Sequence, residues 1–131
     1  MNWLNSISSS LLNKSLDGLW ARQRAISDNL ANIETPGYKT KSVSFEDQLR
    51  AQMQQAGSSG VTAEDQIGEI ENVEPVTTEA SDETFRADGN GVDLEQQNIN
   101  MARTSLNYST SLQLLNDDFS RLKTAITGNQ Q

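Results

Sequence analysis

Two long runs of apolar residues spaced alternately four and three apart limit what this chain can fold into. The first is Leu12, Leu16, Leu19, Ile26, Leu30 and Ile33, broken only by Gln23. The second is Leu94, Asn98, Met101, Ser105, Tyr108, Leu112, Leu115, Phe119, Leu122 and Ile126, in which eight of ten residues are apolar. That spacing puts each run on one face of an α-helix, and it is the heptad spacing of packed helices. A helix with one apolar seam is marginal alone in water, so each seam demands a partner. The spacing predicts helices over about Ser8–Ile33 and Asp93–Thr127. At 1.5 Å per residue the second is roughly 50 Å long, too long for the first to shield completely.

The stretch between them is punctuated. Thr35-Pro36-Gly37 stops the first helix, because proline biases its predecessor away from helix and glycine permits a turn. Tyr38 to Val43 reads as extended or irregular, and Ser44 with Asp47 resembles a capping box opening a short helix faced by Phe45, Leu49 and Met53. Between Gly57 and Glu83 there are eight acidic residues, no basic ones and no aromatics, which predicts a mobile linker or loop. Val61, Ile67, Ile70, Val73 and Val76 leave room for a partner-induced strand. Asp88-Gly89-Asn90-Gly91 is a turn, and Asp93 is placed as the N-cap of the last helix, with Gly128 at its stop. The expected organisation is therefore an N-terminal helix (1–34), a turn, extended segment and short helix (35–56), an acidic linker (57–84), and a C-terminal turn and long helix (85–131). The fold class is mainly α: two long terminal helices packed as an antiparallel coiled-coil hairpin, with a short third helix and an irregular acidic middle.

Composition removes whole classes of function. Neither cysteine nor histidine occurs among the 131 residues, so thiol nucleophiles, disulfides, imidazole bases and most zinc chemistry are out of reach. No G-x-S-x-G, S-x-x-K or phosphate-cradling glycine loop is present, and neither enzyme activity nor a cofactor is expected. Asp88, Asn90 and Asp93 fail as a calcium loop because Val92 takes a ligand position. Net charge is −8 and is concentrated in the middle, where residues 42–91 hold eleven acids and two bases. With no basic stripe to neutralise phosphates, nucleic acid is not a partner to expect. No stretch approaches the roughly 20 apolar residues of a membrane span, and Met1–Ser15 lacks the continuous apolar run of a cleaved signal peptide.

Ile99, Ala102, Leu106 and Leu114 broaden the second stripe beyond one seam, which suggests contacts with neighbouring subunits. Head-to-tail contacts of that kind give rings or helical stacks. A monomeric hairpin whose extra apolar residues are ordinary surface satisfies the same periodicity.

The junction Asn29-Leu30-Ala31-Asn32-Ile33-Glu34-Thr35-Pro36-Gly37-Tyr38-Lys39 resembles the N-terminal signature of bacterial flagellar rod and hook proteins. The block Asp88-Gly89-Asn90-Gly91-Val92-Asp93-Leu94-Glu95, with Met101-Ala102 and Tyr108, is similar to the C-terminal signature of the same family. Short length and Val43-Ser44-Phe45-Glu46 point within it to the proximal rod. Gln97-Asn98 departs from the glutamate and methionine usual there, placing a polar group on the seam.

The resemblance implies a structural subunit of the basal-body rod, exported by the flagellar type III apparatus without a cleaved signal and assembled around the axial channel. Its implied partners are copies of itself, other rod proteins, the MS-ring/rod adaptor protein and the export apparatus. Asn29, Asn32, Thr35, Pro36, Gly37 and Tyr38 would shape the turn that sets subunit register, and Leu112, Leu115, Phe119 and Leu122 would be buried against the first helix or a neighbour. The competing reading is a small soluble export chaperone or adaptor that holds another protein's amphipathic helix.

Overall fold

A computed structural model describes residues 2–55, 60–81 and 91–128, with side chains from residue 7 onward. Its elements are α1 (Asn2–Ala31), β1 (Lys41–Ser44), α2 (Glu46–Gln55), α3 (Ala63–Glu71), β2 (Val76–Glu79) and α4 (Leu94–Thr127). The fold is mainly α, as the two stripes require.

α1 begins earlier than its apolar stripe and ends at Ala31, so Ile33 lies in the following turn. The turn is built by the sequence expected to stop the helix. Asn32 donates its side-chain amide back to the Asp28 carbonyl at 2.8 Å. Thr35 N–H bonds the Asn32 carbonyl at 3.0 Å, Tyr38 N–H bonds the Thr35 carbonyl at 3.2 Å, and Gly37 sits at φ +75°, which glycine adopts without a Cβ penalty.

The acidic middle departs from the linker reading: α3 and β2 both lie within it. Thr62 and Asp65 form a reciprocal capping box at the start of α3, with Glu64 and Asp65 in the first turn where negative charge is favourable. Gln66 and Ile70 recur on one face and are buried, Ile70 with only 1% of its surface exposed, and Val73 just past the helix is buried as well. Average acidity hid this, because helix stability here depends on where a few aliphatic residues fall. β2 pairs antiparallel with β1, Lys41 opposite Glu79 and Ser44 opposite Val76. Ser44 is therefore the end of a strand and opens no capping box. α2 starts at Glu46 instead, whose carboxylate accepts the Phe45 N–H at 3.3 Å. Phe45 and Leu49 are buried while Met53 is exposed.

α1 separates two layers. On one flank lies the core of Leu19, Ala25, Val43, Phe45, Leu49, Ile70 and Val73, against which Ile7 and Leu11 pack. Gly18 lets Phe45, just ahead of α2, sit directly on the helix: a Cβ there would lie 2.4 Å from the Phe45 ring. Arg22 ties α1 to this layer, donating to the Val43 carbonyl at 2.9 Å and pairing with Glu46 at 2.6 Å while its guanidinium stacks over Phe45. Burial is the largest influence on the Glu46 pKa and would raise it, but the Arg22 hydrogen bond, the Glu46 and Phe45 backbone N–H groups and the Arg22 charge together outweigh it and hold the carboxyl below its ordinary value. On the other flank α4 runs antiparallel to α1, with side-chain contacts from Ser9 to Asp118, Gln23 to Met101 and Asn29 to Gln97.

Candidate assembly site: the helix-end turn and the α4 stripe

Asn29 is completely buried, and each polar atom of its amide is used. Its Nδ2 donates to the Lys41 carbonyl at 2.8 Å and to Gln97 Oε1 at 3.0 Å. Its Oδ1 accepts the Lys41 N–H at 2.8 Å and the Tyr38 hydroxyl at 3.3 Å. One side chain thus joins α1, the turn, β1 and α4, and it satisfies the outer edge of β1 that would otherwise be left unpaired. Tyr38 is held partly buried, and that burial raises its pKa; Asp28 and Glu79 push the same way against nearby Lys41.

The other members of the first motif divide by exposure. Leu30, Asn32 and Tyr38 are half-buried, whereas Ala31, Thr35, Pro36 and Gly37 are exposed. In the second motif Asp88, Gly89 and Asn90 lie outside the described residues. Val92 is buried, Thr40 donates its hydroxyl to the Gly91 carbonyl, and Asp93 caps α4 by accepting the Gln96 N–H at 3.2 Å. The turn and the start of α4 therefore meet at one corner of the fold.

The α1 stripe faces α4 and the core: Leu19 and Ile26 are buried, and Leu12, Leu16 and Leu30 are half-buried. The α4 stripe is displaced. Residues turned toward α1 are Gln97, Met101, Thr104, Tyr108, Ser111, Leu115, Asp118 and Leu122; of these Gln97, Thr104 and Leu115 are buried and Asp118 accepts a hydrogen bond from Ser9 at 3.0 Å. This set shares only Met101, Tyr108, Leu115 and Leu122 with the apolar run read from the sequence. The rest of that run lies alongside, with Leu94, Leu112, Phe119 and Ile126 exposed by 52, 42, 54 and 72%. Of the four residues expected to be buried together, Leu115 is buried, Leu122 half-buried, and Leu112 and Phe119 open.

Arg22 and Gly18 were not singled out by sequence reasoning, and Gln97 was marked only, with Asn98, as a polar departure on the seam. Gly18 carried a signal, since an isolated glycine inside a helical pattern marks close packing. Arg22 carried none, and the polar departure at Gln97 did not point to Asn29, because their partners lie far away in sequence.

A buried polar corner and a long half-covered helix describe a subunit that offers a face for assembly more than a binding pocket; among the described residues no helix is long and apolar enough to cross a membrane. Residues 19–39, the second half of α1 and its turn, match the family described as flagella basal body rod protein. The chain is 32% identical over 111 residues to the flagellar basal body rod protein FlgB of Aeromonas hydrophila, covering 83% of this chain and 84% of that one. It is 31% identical over 109 residues to FlgB of Bacillus subtilis, covering 82% and 83%. FlgB of Yersinia enterocolitica is 32% identical over 102 residues, covering 72% and 74%. The chain belongs to the flagellar basal body rod protein FlgB family.

Proposed function

We propose that this chain is a structural, non-catalytic subunit of the flagellar basal-body rod, placed at its proximal end, that assembles with copies of itself and related rod proteins through α1 and α4. The observation that carries the reading is the apolar stripe of α4, uncovered by its own chain in a protein of the FlgB family. Exposed apolar stripes of this length mark interaction surfaces. The partners implied by the sequence, namely the MS-ring/rod adaptor protein and the type III export apparatus, belong to the same proposal, as does a location in the rod across the periplasm. The chaperone reading has no support among the relatives, which are named as rod proteins.

The turn residues act in this reading from inside the subunit. Asn29 cannot touch a neighbour, and sets the corner that presents exposed Thr35, Pro36 and Gly37. The test is complementation of a strain lacking its own FlgB with a variant carrying Leu112→Asp and Phe119→Asp. Both sites are exposed, so the purified variant keeps its circular dichroism spectrum, yet a charge in a packed seam is strongly unfavourable and motility and rod incorporation are lost. Wild-type swimming by this variant would overturn the proposal.

A further inference from the structure

We propose that α4 has a second packing on α1, reached by rolling about 50° around its own axis, half the roughly 100° between successive residues of a helix. The two packings share Met101, Tyr108, Leu115 and Leu122. In the observed one the alternating positions are Gln97, Thr104, Ser111 and Asp118; in the rolled one they become Leu94, Asn98, Ser105, Leu112, Phe119 and Ile126.

Three features of the observed interface point to the roll. An open groove of about 360 Å³ separates the helices on the side where the stripe lies, lined by Leu19, Trp20 and Gln23 of α1 and by Thr104, Ser105 and Tyr108 of α4. The roll carries Leu112 and Phe119 toward α1 from that side. Gln23 Oε1 is buried with no hydrogen-bond partner among the described residues. In the antiparallel register set by the Asn29–Gln97 and Ser9–Asp118 contacts, Ser105 stands near the level of Gln23, so rolling inward brings a hydroxyl donor toward that acceptor. Asp118, the one carboxylate on that face of α4, accepts the Ser9 hydroxyl in the observed packing, and rolling returns it to water.

The device gives the subunit a closed form that hides its own stripe and an open form that presents it. Its use in assembly rests on the rod reading above; the roll itself does not.

A chain without cysteine allows a direct test by pairs of introduced cysteines in the purified full-length protein. Ser9→Cys with Asp118→Cys reports the observed packing, Ser9→Cys with Phe119→Cys the rolled one, and Ser9→Cys with Ser120→Cys is the control, two residues round the helix from Asp118. Under mild oxidation the first pair closes fastest within the chain. The second closes at about a tenth to a thousandth of that rate, as for a minor state in equilibrium, and faster than the control. The roll is overturned if the Phe119 pair closes no faster than the control, or if neither pair closes. It is also overturned if Phe119→Cys chains link only to each other as dimers, which would assign the stripe to a second copy. Each of these outcomes leaves the complementation result above unchanged, so the two proposals fail separately.

Discussion

α1 and α4 carry stripes of the same spacing, yet the fold treats them differently. α1 lies between two layers, with α4 on one flank and β1, α2 and α3 on the other, and its stripe residues from Leu12 to Leu30 are all at least half-buried. α4 packs along its length on α1 and turns toward it a face in which every other position is polar, while four large apolar residues beside that face stay open. Hydrophobic periodicity therefore reports that a face needs covering, and does not say whether the cover belongs to the same chain. On the rod-subunit reading proposed above, the uncovered half is the one that assembly would cover.

The largest effect separating the two regions is expected in the core under α1. Ile70→Ala removes a side chain that is 1% exposed and should cost about 2–5 kcal/mol, whereas Phe119→Ala on the open side of α4 should change stability of the free chain by less than about 0.5 kcal/mol. Denaturant unfolding of both variants checks the contrast, and equal losses would break it.

Next comes the corner where the regions meet. Asn29→Ala leaves the Lys41 amide and carbonyl, the Gln97 amide and the Tyr38 hydroxyl without their partner, at an expected cost of about 2–3 kcal/mol. Hydrogen exchange should show faster opening of β1 and of the first turns of α4 together, because one amide serves both. Opening confined to β1 would mean that α4 is held elsewhere.

The smallest effect is on pH dependence. The Tyr38 pKa is raised in the fold above its ordinary 10.0, so the stability attached to its protonated form is fully present below pH 10. As pH rises toward the folded value, the unfolded chain gives up its proton first and stability declines. Tyr38→Phe should cost less than about 1 kcal/mol at neutral pH and should flatten that alkaline decline. An unchanged slope would remove Tyr38 as its source.

Much of this was legible in the sequence, and the failures have physical causes. The Thr35-Pro36-Gly37 stop and the Asp93 cap are local chemistry, readable because the residues that act are neighbours. α3 was missed because acidity was averaged over residues 57–84, whereas its formation depends on the Thr62–Asp65 box and on Gln66 and Ile70 falling on one buried face. The α4 seam came out displaced because the apolar run is the better seam by composition, and only the fold reveals that Gln97 and Thr104 are the residues turned inward. The pairing of Asn29 with Gln97, 68 residues apart, leaves no local trace.

The central claim, that α4 is half-covered in the free subunit and covered in the rod, is tested most directly at position 119. With no native cysteine, a Phe119→Cys chain can be labelled with a thiol-reactive probe both as purified protein and within isolated basal bodies. Rapid labelling of the free chain and strong protection in the basal body is the result expected here. Equal labelling in the two states would contradict it.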